Sequence, residues 1–134
     1  MLESRLRDLL STQLEIIEDG IELIKIEQYL PSSLGTRSFI DILAKDRRGR
    51  WVLIELKRSD AAARQAIHEI HKYVEAVKSH LGARDDEIRA IIVSTEWKEL
   101  IVPFSRFFHD TPISIIGIKL TVDDAGNLCF GMQI

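Results

Sequence analysis

FIDILAKDRRGRWVLIELKR, Phe39 to Arg58, is the stretch that decides the fold. Two runs rich in Ile, Leu and Val flank the polar segment Asp46-Arg47-Arg48-Gly49-Arg50. Its length and its glycine predict an antiparallel hairpin. Asp41, Glu55 and Lys57 interrupt the apolar runs, and a charge within a strand core is costly to desolvate unless an ion or partner compensates it.

Side chains alternate along a strand, so Phe39, Asp41 and Leu43 share one face of the first run, and Trp51, Leu53, Glu55 and Lys57 share one face of the second. With residues of equal parity paired across the loop, Asp41 falls opposite Glu55 and Lys57 lies one pleat further along. Two adjacent carboxylates raise each other's pKa unless a cation lies between them. Mg²⁺ or Mn²⁺ suits such a pair, because hard cations take one or two carboxylates and complete their sphere with water and phosphate oxygens. A lysine alongside can orient an attacking water or stabilise charge developing on phosphorus. The pattern predicts a phosphodiester-hydrolysing metal site. The competing reading is a solvated ion cluster on an edge hairpin, and the apolar density of Ile40, Ile42, Val52, Ile54 and Leu56 argues against it.

These residues resemble the PD-(D/E)XK nuclease superfamily, in which an Asp on one strand precedes an E-x-K, here Glu55-Leu56-Lys57, on the next. GTRSFIDILAKDRRGRWVLIELKR, followed by Glu69-Ile70-His71-Lys72-Tyr73, is most similar to the nuclease domain of NucS-type (EndoMS-like) endonucleases. The resemblance implies a restriction-endonuclease-like αβββαβ core with a mixed central sheet flanked by helices. It also implies Mg²⁺- or Mn²⁺-dependent cleavage of DNA rather than RNA, with Asp41 and Glu55 as ligands and Lys57 as the third catalytic group. It suggests accessory roles for Glu3, Gln65, Glu69 and Tyr73. The chain departs from that pattern at Glu69, where the family has Gln four residues before the tyrosine, with Gln65 one turn earlier. No counterpart of the family's separate amino-terminal DNA-binding domain is expected, so a homodimer or a missing targeting domain or partner is. A nuclease-fold domain that binds nucleic acid or protein without cutting, and a toxin or junction-resolving nuclease with the same chemistry, are the alternatives.

The 134 residues, 46% hydrophobic and 29% charged, fit one globular domain, 1–134, and exclude a disordered chain. No apolar run approaches a bilayer span and the amino terminus lacks secretory-signal character, so a cytoplasmic protein is expected. The lone Cys129 excludes an internal disulfide and a Cys-rich zinc site, and reads as a small buried hydrophobe on the last strand. Net charge is -3, yet Lys45 to Arg64 carries seven basic residues against three acidic ones, a local balance of +4. Arg47, Arg48 and Arg50 at the hairpin tip, with Arg37 before it and Arg58 and Arg64 after it, are candidate phosphate contacts on either side of the scissile bond.

The remaining pattern predicts a first helix from Glu3 to Glu18 with a break near Ser11-Thr12, and a strand from Ile21 to Leu30. The hairpin strands run from Arg37 to Lys45 and from Arg50 to Lys57. A second helix from Ala61 to Leu81 carries a stripe of Ile67, Ile70, Val74, Val77 and Leu81. A buried strand from Glu87 to Thr95, a third helix from Trp97 to His109 and a hairpin of Ile113–Val122 with Leu128–Ile134 complete the order. Trp51 and Trp97 read as packing residues rather than base-stacking platforms.

Overall fold

A computed structural model of the chain describes residues 3–31, 37–57, 63–97, 105–106 and 111–134. The order is α1 (Glu3–Ser11), β1 (Glu22–Pro31), β2 (Arg37–Lys45), β3 (Trp51–Lys57), α2 (Ala63–Leu81), β4 (Ile88–Ser94), β5 (Ser114–Val122) and β6 (Leu128–Gln133). One six-stranded sheet has the spatial order β1 to β6, with β3, β4 and β5 parallel and the remaining neighbours antiparallel. This is the mixed sheet expected from the pattern. The expected third helix falls largely outside the described residues; Ser105 and Arg106 are helical.

The two helices cover opposite faces of the sheet. Leu6 and Leu10, one turn apart on α1, pack with Ile42, Ala44, Val52, Ile54, Ile91 and Val93. Ile70, Tyr73, Val74 and Val77 form the core stripe of α2 against Leu43, Leu53, Ala90 and Ile92. β4 is buried throughout, as a parallel strand covered on both sides must be. Leu81, which closes the predicted stripe, is instead exposed because α2 ends there. The side chain of Ile67 lies outside the described residues.

α1 stops at Ser11 and gives way to a 3₁₀ turn at Leu14–Ile16. The Ser11 and Thr12 hydroxyls donate to the carbonyls of Asp8 and Leu9, a local exchange that competes with helix continuation. The β2–β3 loop closes through Asp46 N–H to Arg50 O and Gly49 N–H to Asp46 O, with Gly49 at φ +79°. Asp46 Oδ1 accepts the backbone N–H groups of Arg48 and Arg50. Asp123, Gly126 and Asn127 repeat this arrangement between β5 and β6, so the same D-x-x-G-x chemistry turns the chain twice. Cys129 is partly buried on β6, not fully as its apolar character suggests, because β6 is an edge strand whose Phe130 and Met132 are exposed.

Candidate active site

The sheet sets the site by letting its hydrogen-bond ladder lapse. β2 and β3 pair in the predicted register from Lys45↔Trp51 to Ile42↔Ile54. At the next position the side chains take over: Leu56 N–H donates to Asp41 Oδ2 at 2.9 Å, and Asp41 N–H reaches Glu55 Oε1 at 3.4 Å. The β1–β2 register passes from Ile26↔Ile42 to Gln28↔Ile40, with Glu27 at φ +49° between them. Strict alternation fails here too, since Ile40 joins the same core cluster as Leu43. Arg7 of α1 forms an ion pair with Glu27 and ties the helix to this irregularity.

Asp41, Glu55 and Lys57 meet on the side covered by α2, where Glu69 and Tyr73 complete the group. Glu55 is 1% exposed. Lys57 Nζ lies 3.1 Å from Glu69 Oε2 and 3.8 Å from Glu55 Oε2. Burial, reinforced by the charge of Asp41, pushes the Glu55 carboxyl well above its usual range. Burial also raises Asp41, although the Leu56 N–H and Lys57 oppose it. For Lys57 burial acts downward, but the charges of Glu55 and Glu69 outweigh it and the ammonium is held above its ordinary pKa. Tyr73 is raised by burial and by the same carboxylates. Glu3, in the first turn of α1, is close enough for its charge to act on both Asp41 and Lys57.

Each of the two central carboxylates spends one oxygen on a backbone N–H of the facing strand, leaving the second for a ligand or a shared proton. Such a pair fits a hard divalent cation that draws its other ligands from water and phosphate. Among the described residues no group of three His, Cys, Asp or Glu side chains is placed to hold a metal ion by itself.

Not all the candidate residues converge. Arg47, Arg48 and Arg50 sit at the opposite end of β3 from Lys57, about 20 Å away by strand rise. They line a cleft of about 370 Å³ with Glu18, Asp19, Asp46, Arg89 and Ser114. Most of the extended length of β3 separates this turn from Lys57, so any phosphate these arginines contact is not the one beside Lys57. Arg50 is committed to Asp46 at 2.8 Å. Arg37 lies in β2 and Arg64 and Gln65 lie in α2, but their side chains, and all of Arg58, are outside the described residues. Trp97 is buried with Nε1 donating to Ile118 O, and Lys45 lies over the Trp51 ring. Tyr29 and Phe39, paired across β1 and β2, are exposed rings that strand pattern alone does not distinguish from packing residues.

Residues 2–102 match the family described as the endonuclease NucS C-terminal domain. The chain belongs to that family. Endonuclease NucS of Methanocaldococcus jannaschii is 35% identical over 92 residues, covering 69% of this chain and 32% of the relative. Endonuclease NucS of Corynebacterium jeikeium is 30% identical over 105 residues, covering 78% and 38%. The chain thus spans about a third of the length of the curated NucS relatives it matches. A repair endonuclease from Pyrococcus abyssi shares the fold at a TM-score of 0.61 and 19% identity, over 89% of this chain and 47% of that one. An EndoMS–dsDNA complex gives 0.60 and 21%, over 89% and 46%. Pyrococcus furiosus SfsA in complex with Ca²⁺ gives 0.53 and 14%, over 98% and 64%. Among the described residues no helix is long and apolar enough to cross a membrane.

Proposed function

We propose that this chain is the cutting domain of a Mg²⁺- or Mn²⁺-dependent DNA endonuclease of the PD-(D/E)XK superfamily, with the restriction-endonuclease-like core that its αβββαβ order suggests. The observation that carries the reading is the clasp of Asp41 and Glu55, a half-buried and a buried carboxylate, each accepting a backbone N–H of the facing strand and held side by side against electrostatic cost. Membership of the NucS family, the likeness to a DNA-bound EndoMS and the likeness to a Ca²⁺-bound SfsA support the substrate and the cation.

Asp41 and Glu55 would hold the cation, which when bound supplies Lewis acidity and an acidified water. Asp41 and Glu55 are themselves oriented by the backbone of the facing strand, so they need little reorganisation to present their second oxygens. Lys57, suspended between Glu55 and Glu69, supplies a fixed ammonium to orient the attacking water and to offset charge growing on the phosphoryl oxygens. Glu69 holds that ammonium, and the buried Tyr73 walls the site against bulk water.

The test is cleavage of single-stranded, double-stranded and branched DNA, and of RNA, with and without Mg²⁺ or Mn²⁺. Wild type is compared with Asp41→Ala, Glu55→Ala and Lys57→Ala. Metal-dependent cutting of DNA lost in all three variants is the expected result; cutting that survives all three sinks the assignment.

A further inference from the structure

β3, β4 and β5 run parallel, and their register sets Lys57, Ser94 and Lys119 in one row across the sheet. Partners in such a ladder share a face, so Lys119 stands on the α2-covered face with Lys57, two strand spacings or about 10 Å away. A lower row fixes that face: Leu53, Ala90 and Ile115 are in register, and all three belong to the core cluster that α2 joins. Ser94, between the two lysines, is short and fully buried, and its hydroxyl donates to Glu96 O and accepts the Glu96 N–H. No long side chain of the row therefore separates the two ammonium groups. Two residues before Lys119 on the same face, the Trp97 indole covers Gly117. With that space filled, the half-buried Lys119 has the carboxyl ends of the strands to extend into.

We infer that Lys119 binds a phosphate of the DNA strand being cut, flanking the one beside Lys57, so that the strand crosses the carboxyl ends of β3, β4 and β5; this rests on the nuclease reading above. That end of parallel strands is where open α/β sheets take their ligands. Charge explains why such a contact is needed. Lys57 is held by Glu69 at 3.1 Å and by Glu55 at 3.8 Å, and with Asp41 three carboxyl groups face one ammonium. A lysine so compensated acts on the phosphate placed against it but draws little on a polyanion from outside. Lys119, by contrast, forms no ion pair among the described residues. Arg47 and Arg48 stand at the other end of β3 and do not serve this edge. An unpaired ammonium on a flexible stem holds a phosphate without reading the base, so Lys119 positions the strand and leaves its sequence unread.

The experiment is steady-state cleavage in Mg²⁺ of a DNA series in which one uncharged methylphosphonate linkage is moved stepwise across the cut position. At one flanking position the neutral linkage should raise the KM of wild type roughly tenfold, the loss of one charge-assisted contact. Lys119→Ala should raise KM to a similar degree on fully charged DNA, with kcat retained, and should respond no further to that linkage. Its KM should also depend less steeply on salt, with a slope reduced by about 0.9. Lys119→Gln keeps most of the stem and loses the charge, so it should match Lys119→Ala, whereas Lys119→Arg should keep the wild-type pattern. Lys25→Ala, which removes an exposed lysine on β1, measures the effect of net charge alone and should leave KM within about twofold. Effects of the linkage and of Lys119→Ala that simply multiply at every position overturn the proposal, as does a rise in KM that Lys25→Ala reproduces. A fall in kcat with KM unchanged in Lys119→Gln also overturns it, because a flanking contact acts on binding. Wild type that cuts no DNA overturns the nuclease reading and this inference together, whereas wild type that cuts and Lys119→Ala and Lys119→Gln variants that cut equally well overturn this inference alone.

Discussion

The Asp41 carboxylate accepts the Leu56 backbone N–H at 2.9 Å, one position beyond the last paired residues of β2 and β3. The side chain thus takes the place of a ladder carbonyl while remaining available as a ligand. Structure and chemistry can be separated by isosteres. Asp41→Asn keeps an oxygen for Leu56, and Glu55→Gln removes a buried charge, so stability measured by denaturant should hold or rise by about 1 kcal/mol. Metal-dependent cleavage should fall by more than about a hundredfold, beyond what mutation of a group outside the ligand sphere costs. Unfolding at neutral pH in either variant would show that the charge itself holds the strands.

Glu69, on α2, accepts a hydrogen bond from the Lys57 ammonium at 3.1 Å. Glu69→Gln preserves an acceptor at the same reach and should keep kcat within about threefold, whereas Glu69→Ala releases Lys57 and should cost about tenfold or more. Equal losses in the two variants, read by single-turnover cleavage, would show that charge rather than anchoring matters at this position.

Hairpin register and the shared face of Asp41, Glu55 and Lys57 are legible in the sequence because period-two alternation and the D-x-x-G-x loop leave few other pairings. Three things are hidden from it. Glu27 takes a positive φ although glutamate has no preference for it, and the ion pair to Arg7 that accompanies it is a tertiary contact. Arg47, Arg48 and Arg50 look adjacent to Glu55 along the chain, but an extended strand converts those few residues into its full length. The exposure of Tyr29 and Phe39 depends on what packs over the paired ends of β1 and β2, a tertiary matter that periodicity does not report.

The position of the arginines makes a separate prediction. Arg47→Ala with Arg48→Ala should leave kcat at saturating DNA within about twofold, because these side chains are a strand length from Lys57. Any effect should fall on the salt dependence of DNA binding, with a slope reduced by about 0.9 for each phosphate that is no longer neutralised. A large fall in kcat would require the turn to act on the reacting phosphate.

Asp46 provides a pH probe remote from the clasp. Burial opposes its charge, but backbone and side-chain hydrogen bonds from Arg50 and the Arg89 guanidinium overcome this and hold its carboxyl below the ordinary value of 3.8. Protons therefore bind the unfolded chain first as pH falls. The stability Asp46 contributes is present above pH 3.8 and is lost as pH drops through its lower folded-state pKa. Asp46→Asn keeps the loop acceptor but not the charge facing Arg89 and Arg50, and should cost about 1–3 kcal/mol at neutral pH. Urea melts of variant and wild type should converge as pH falls below 3.8 and Asp46 takes up its proton in the folded state too. A constant difference across that range would exclude the Asp46 charge as its cause.

Gly117 tests whether the α2-covered face of the sheet depends on close packing. A Cβ placed there would lie 2.5 Å from Cη2 of Trp97, a separation that carbon atoms do not tolerate. The indole has little freedom to withdraw, since it is buried and its Nε1 donates to Ile118 O at 3.0 Å. The carbonyl of Gly117 also accepts the Ile134 N–H at 2.8 Å, so displacing β5 would disturb its hydrogen bond with the last residue as well. Gly117→Ala should destabilise by about 1–3 kcal/mol, with a lower thermal midpoint and altered Trp97 fluorescence. Combining it with Trp97→Phe, which removes the clashing ring atoms, should recover the part of the penalty that the clash contributes. If the double variant is no more stable than the sum of the two single effects predicts, the penalty comes from the strand rather than from the contact with Trp97.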